Sequence, residues 1–449
     1  MKKNTLLLVL WMLVSMTGMA QNVIATPHSQ GKNVEQQLKE NPLRAYGYDC
    51  PYLFEDSPMT AAPEGYEPFY ISHYARHGSR YYWTDKLYKE LDTLLTVATE
   101  RQLLTAEGET FCRKFMAVKD ELMTGVSELT QLGWEQHQQI ARRMYNTFPE
   151  VFNKGGNVLA ISSLSGRCVL SMSAFCQELV QCNPQIEVRE QSSRFTLDAV
   201  VPTDKQNPVK HHYQRVMPRY FKQRNLFHSG TDTRAAIALR VLTSTEGLPY
   251  SADAIGEKLI NLYTTLPSIG YMGMMGTIVT DQEMVDRWES SNLWSYGWVF
   301  GPQYQMIPIL QDIIGKAEAV ISGSSDHVAD LRFGHDTCIG PLTVLMGING
   351  ADHDPEDPNE VKYYYQNWET CKACNIQLVF YRIATPHSQG EIATPHSQGE
   401  NVLVKCLLNG GEATLPVPTT VSPYYKWSDF CQFYRNRIAA APDGVKNVE

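Results

Sequence analysis

The chain has 449 residues, 43% hydrophobic, 10% aromatic and 19% charged, which is enough apolar material for a large core and excludes a fibrous or disordered chain. With 48 acidic against 39 basic residues its formal net charge is −9, which argues against nucleic acid or an anionic membrane as a general partner. Ten cysteines are too few for a disulfide scaffold at this length, and Cys371-x-x-Cys374, the only close pair, has no second pair to complete a zinc site.

At the N-terminus, Lys2 and Lys3 precede an apolar run from Leu6 to Val14, and Gly18 and Ala20 occupy the −3 and −1 positions of a cleavage before Gln21. Residues 1–20 thus form a signal peptide, with an apolar run too short to span a membrane. The mature chain is expected in the periplasm or outside the cell, with no membrane insertion. Losing Lys2 and Lys3 takes the formal charge from −9 to −11. Residues 21–45 are polar and expected to be poorly ordered.

From Pro68 the chain falls into strand–loop–helix units. A strand-like run from Pro68 to Tyr74 leads into Ala75-Arg76-His77-Gly78-Ser79-Arg80, and a helical pattern follows from Asp85 to Gln102. A second helix runs from Thr130 to Phe148, opened by a threonine cap. The unit recurs as a strand from Asn157 to Ser163, a break at Ser165-Gly166 and a helix from Arg167 to Gln181. It recurs again as a strand from Val328 to Phe333, a break at Gly334 and a helix from Thr337 to Met346. This alternation predicts an α/β protein with a mainly parallel sheet flanked by helices, whose ligands bind at the carboxyl ends of the strands. Residues 193–302 lack the unit and are rich in helix-like patterns and aromatics, among them Trp288, Trp294, Tyr296 and Trp298. They are expected to form a mostly helical inserted cap, leaving residues 46–192 and 303–449 as the core.

The octapeptide Ile-Ala-Thr-Pro-His-Ser-Gln-Gly occurs three times, at Ile24–Gly31, Ile383–Gly390 and Ile392–Gly399. Identity this complete points to duplication or a tag rather than a folded repeat. The tandem pair lies between two strand-like runs, where it would extend a hairpin tip, and it is given no functional weight.

Chemistry concentrates at the three strand ends. Arg76 and Arg80 flank His77, and Gly78 lets a ligand approach the backbone closely. Guanidinium groups grip phosphate or carboxylate in bidentate fashion, and a histidine among cations stays neutral and nucleophilic. Arg167 opens a helix whose free N–H groups already favour an anion. His335 and Asp336 add one phosphate donor and one carboxylate. Taken singly, these residues could be a surface ion-pair arginine and an ordinary strand-end turn. Three cation-bearing loops and an acid at one sheet edge are instead the parts of a phosphoryl-transfer site.

Together these motifs resemble the histidine acid phosphatases, the branch that includes phytases and multiple inositol polyphosphate phosphatases. The likeness runs from Tyr66 to Leu345, and Leu129-Thr130-x-x-Gly133-x-x-Gln136 is similar to the family's helix between the first two site segments. It implies that His77 attacks phosphorus, that Asp336 protonates the leaving alcohol, and that Arg76, Arg80, Arg167 and His335 hold the phosphoryl oxygens. The implied partner is a small phosphorylated substrate; no metal and no cofactor is implied. Two departures stand out. The family motif usually continues Arg-x-Pro where this chain has Arg80-Tyr81-Tyr82. Arg167-Cys168 with Ser171-x-Ser173-Ala174-Phe175 looks like the inositol polyphosphate branch, yet His335-Asp336-Thr337 looks like other phytases rather than that branch's His-Ala-Glu.

Between Lys205 and Arg224 six basic residues (Lys205, Lys210, Arg215, Arg219, Lys222 and Arg224) occur with no acid. They would suit a highly phosphorylated substrate such as inositol hexakisphosphate, or form a solvated helical face. The expected activity is metal-independent monoester hydrolysis, of an inositol phosphate first and of a sugar phosphate or nucleotide second. A binding protein without turnover is one rival, against which stands the presence of both His77 and Asp336; a phosphomutase, against which export argues, and a metallohydrolase using the histidines are the others. His73, His137, His228 and His327 receive no role.

Overall fold

The structure is a computed structural model and describes residues 33–202, 231–384 and 401–441. The signal-peptide segment, the first octapeptide, most of the tandem pair, the Lys205–Arg224 stretch and His228 lie outside the described residues.

Strand β1 (Tyr66–Arg76) is buried without a break from Tyr70 to Arg76. Such burial on both faces is what a central strand covered by helices requires, and its aromatic and β-branched residues favour the extended form. Strands β2 (Gly156–Ser162), β3 (Ile186–Gln191) and β4 (His327–Gly334) run parallel to it, in the spatial order β3-β2-β4-β1. Strand β4 is therefore inserted between two strands made much earlier in the chain. On the other side of β1, strands β5 (Asn375–Ile383), β6 (Leu403–Leu408), β7 (Gly411–Ala413) and β8 (Tyr424–Lys426) add an antiparallel half. The two strand-like runs flanking the tandem octapeptide are β5 and β6, paired as the expected hairpin.

Strands β1, β2 and β4 each end in a break and then a helix. Helix α1 (Val34–Glu40) precedes the sheet, and α2 (Lys86–Glu100), α3 (Ala106–Thr124) and α4 (Gln131–Thr147) follow β1. Helix α5 (Gly166–Cys182) follows β2. The region expected to be helical contains α6 (Thr231–Val241), α7 (Ala252–Ile269) and α8 (Asp281–Phe300). Helices α9 (Ile307–Ile321), α10 (Asp336–Met346) and α11 (Trp427–Ala439) complete the chain. Helix α8 begins with a full capping box, the Thr280 hydroxyl accepting from Glu283 N–H while the Glu283 carboxylate accepts from Thr280 N–H.

One expectation is corrected. The segment before residue 45 is ordered from Asn33 onward: the Asn33 side chain caps α1, and Val34 and Leu38, one turn apart, are buried in the main core. The glutamines, lysine and glutamates around them mask that apolar stripe in the sequence. Cys371 and Cys374 are two free buried thiols, as are Cys50 and Cys406. The glycine- and methionine-rich bend at Gly270–Gly276 buries Met274 and Met275 and exposes Met272.

Candidate active site

The carboxyl ends of β1, β2 and β4 meet at one edge of the sheet, and all six residues singled out there lie together. The loop after β1 is fixed by contact of backbone with backbone. A Cβ on Gly78 would meet the Gly133 carbonyl oxygen at 2.3 Å, and one on Gly133 would meet the Ser79 oxygen at 2.2 Å, so neither position admits a side chain. Around this contact the Thr130 hydroxyl caps α4 by accepting from Gly133 N–H and donates to the Ser79 carbonyl. Ser79 N–H donates to the Gln136 amide oxygen at 2.9 Å, and Gly78 N–H donates to the Ser171 hydroxyl at 3.1 Å. The Leu-Thr-x-x-Gly-x-x-Gln pattern thus has a physical basis: it clamps the loop that carries His77.

His77 is buried, and its Nδ1 lies 2.9 Å from the Gly78 carbonyl oxygen. A carbonyl only accepts, so the proton sits on Nδ1 and the lone pair on Nε2. Burial, then Arg76, Arg80 and Arg167, hold its pKa well below the ordinary value. His335 faces it with ring centroids 5.7 Å apart. The Nε2 of His335 is 3.0 Å from the Ser163 hydroxyl, and its Nδ1 is 3.4 Å from Arg167. Burial and then Arg167 lower the His335 pKa to about 4.

Arg76 is fully buried. It donates to the carbonyls of Tyr48 and Thr370 and to Asp336 at 2.9 Å. Burial alone would raise the Asp336 pKa, but Arg76, Lys372 and Arg80 outweigh it and hold the carboxyl well below the usual range. Arg76, Arg80 and Arg167 each keep a buried Nε–H with no partner among the described residues. An unpaired buried donor costs roughly 1–3 kcal/mol, so three from one cluster call for an anion to satisfy them.

Tyr48, Asp49 and Lys372 are parts of the site that no sequence signal marked. Lys372 is buried, and its ammonium lies 2.5 Å from Asp49. Its pKa is lowered to about 7 by burial and then by Arg76, with Asp49 opposing. Backbone bonds from Lys372 N–H to the Cys50 carbonyl and from Ala373 N–H to the His77 carbonyl brace this segment against the loop.

Beside the cluster opens a cavity of about 630 Å³, lined by Arg80, Asp336, Tyr48, Trp83, Trp294 and Trp298, among others. Among the described residues no group of three or more His, Cys, Asp or Glu side chains could hold a metal ion, and no helix is long and apolar enough to cross a membrane. His73 and His137 lie buried among Phe175 and Phe333, away from the cavity wall, and His327 bonds to Asp330 at 3.1 Å.

No family model and no curated protein sequence matches the chain. Among solved structures, its fold is similar to the multiple inositol polyphosphate phosphatase of Bifidobacterium longum in complex with inositol hexasulfate. The TM-score is 0.68 at 18% identity, covering 86% of this chain and 96% of that one. It is also similar to the phytase from D. castellii, with a TM-score of 0.64 and 15% identity over 92% of this chain and 89% of that one. The architecture, a mixed sheet whose core is parallel and flanked by helices, with a helical cap, is thus the fold of these two proteins.

Proposed function

We propose that the chain is an exported histidine acid phosphatase, hydrolysing phosphate monoesters through a phosphohistidine at His77. The three buried, unpaired arginine Nε–H groups around a neutral histidine carry this reading. On this reading the three guanidinium groups hold the non-bridging phosphoryl oxygens, charge stabilisation that strengthens as the transition state develops. Export rests on the signal-peptide pattern of residues 1–20.

In the first step Nε2 of His77 attacks phosphorus and the bond to the alcohol oxygen breaks. The leaving oxygen needs a proton, and Asp336, which lines the cavity beside the arginines, is the group proposed to deliver it. Asp336 is ionised in the free site, so the proton enters with the substrate. A phosphate monoester has a second pKa near ~6, and its monoanion carries one acidic hydrogen that the carboxylate can accept and pass on. The second step is attack of water on the phosphohistidine, with Asp336 taking up a proton as the P–N bond breaks. Acid pH supplies the monoanion while the depressed pKa of His77 keeps the nucleophile unprotonated, so both requirements are met in the same range.

Inositol phosphates are the first proposed substrates, on the motif likeness and on the fold shared with proteins named as inositol polyphosphate phosphatase and phytase. Sugar phosphates and nucleotides come second. The test is phosphate release from inositol hexakisphosphate near pH ~5, in chelator, by the mature protein and by His77→Ala. Release by the parent with loss in the variant, and an acid-quenched phosphoenzyme in the parent alone, is the expected result. Release that survives His77→Ala would overturn the mechanism.

A further inference from the structure

Arg76 is gripped by backbone from two directions. Its Nη1 donates to the carbonyl of Tyr48 and, at 2.8 Å, to the carbonyl of Thr370, while its Nη2 goes to Asp336. The two carbonyls belong to segments that meet only in the folded chain, and a charged residue follows each. Asp49 comes directly after Tyr48, and Lys372 comes two positions after Thr370. Their side chains meet at 2.5 Å although 323 positions separate them. Lys372 N–H donates to the Cys50 carbonyl at 2.9 Å, and Ala373 N–H donates to the His77 carbonyl at 3.0 Å. Arg76 N–H in turn donates to the Cys374 carbonyl at 2.9 Å, so the 370–374 segment is tied both to the 48–50 segment and to the end of β1. Lys372 is 2% exposed. Desolvating an ammonium is unfavourable, and an apolar side chain would fill the same space without that cost.

We propose that Lys372 and Asp49 are positioning residues, an ionic clasp that closes the two-carbonyl collar around Arg76 and so aims its guanidinium at the phosphate. The inference rests on the phosphatase reading and deepens it. Lys372 is faced by Arg76, His77 and Arg80 from β1 and its loop, by Asp336 from α10 and by Asp49 from the segment before β1. Tyr48, Cys50, Cys371 and Cys374 surround the pair, and burial raises the pKa of each, so they stay uncharged. Burial and then Arg76 bring the Lys372 pKa down to about 7, against the pull of Asp49. The ammonium is therefore present below that pH and lost above it, and the clasp loses its charge with it.

The probe is inorganic sulfate, a phosphate mimic whose own charge is constant near neutrality. Its binding is measured by calorimetry at fixed ionic strength, at about pH 6 and about pH 8, with the parent, Asp49→Asn, Lys372→Met and Lys372→Arg. Asp49 is an acid beside an anion cradle, so by charge alone its removal tightens sulfate binding, whereas loss of a clasp weakens it. The expected result is a dissociation constant about tenfold higher at the lower pH in both Asp49→Asn and Lys372→Met, the size of one misplaced charge-assisted hydrogen bond. In the parent, binding should weaken several-fold from the lower to the higher pH. Lys372→Arg, permanently charged, should bind tightly at both. Thermal melting checks that each variant is folded, and Asp49→Asn decides the question even if the larger arginine is not accommodated. Unchanged or tighter binding in Asp49→Asn, a parent whose binding ignores this pH step, or no sulfate binding at all would overturn the proposal. Sulfate is not turned over, so the expected pattern supports the clasp even if no ester is hydrolysed, an outcome that would sink the phosphatase reading alone.

Discussion

His73 and His77 stand four positions apart, at and just beyond the end of β1, and each faces a second histidine or its neighbourhood. Both are buried and both resist protonation. His73 and its neighbour His137 lie among Phe175 and Phe333, and burial lowers the pKa of each to about 3. His77 is lowered by burial and also by three arginines, and it faces His335 beside an open cavity. A lowered pKa by itself therefore marks only dryness. What separates His77, the proposed nucleophile, from a core-filling ring is its surroundings: cations with unspent donors, a carbonyl that fixes the tautomer, and room for a ligand.

Substitutions sharpen the contrast. His77→Ala should lower turnover by about 10⁴-fold or more with the fold retained, whereas His73→Leu should leave kcat within about twofold; phosphate release and thermal melting measure both. A large loss of kcat in the folded His73→Leu protein would break the distinction. Asp336→Asn should cost about 10²–10⁴-fold on an alkyl phosphate and far less on a nitrophenyl phosphate, whose leaving group needs no proton. Equal losses on both esters would give Asp336 a role other than proton donor. Arg76→Met takes a buried cation from a partly exposed partner, Asp336, and strips the Tyr48 and Thr370 carbonyls of their donor, so it should destabilise the protein by about 1–3 kcal/mol in urea unfolding, besides abolishing activity.

The smallest effect belongs to the silent pair. The folded pKa of His73, about 3, lies below its unfolded value near 6.5, so the unfolded chain takes up the proton first as the pH falls. Stability is thus full above about pH 6.5 and is lost as the pH drops through the window down to about 3. His73→Leu should shrink the stability difference between about pH 7.5 and pH 5 by about 2 kcal/mol, read from denaturant unfolding at each pH. On the active side, kcat/KM should fall above about pH 6 as the substrate monoanion disappears, and the limb should shift with the substrate's own second pKa rather than with His77.

Much of this was legible because the same physics writes strand and site. The runs read from Pro68, Asn157 and Val328 became β1, β2 and β4 with ends displaced by no more than two residues, because an apolar run stopped by a glycine or serine leaves few other solutions. The arginines and histidines were visible because they directly follow those runs. Asp49 and Lys372 were not, since they come from irregular segments joined only by the folded chain. Lys372 sits inside Cys371-x-x-Cys374, a motif read for its thiols. Trp294 and Trp298 were visible as aromatics, but which face of α8 turns to the cavity depends on where the helix docks. The placement of β4 between β2 and β1 is likewise a matter of topology, to which periodicity is blind.

That placement has a consequence for how the molecule is made. Arg76 and Asp336, which pair in the site, are 260 positions apart in the chain. A nascent chain completes β1 and β2 long before the strand that must slide between them exists, and until then both present bare hydrogen-bonding edges. High contact order of this kind slows folding and prolongs the time a chaperone must guard those edges. On the proposed mechanism it also makes the chemistry all-or-none: a chain that stops short of β4 has His77 but neither His335 nor Asp336, so unfinished molecules would be catalytically silent.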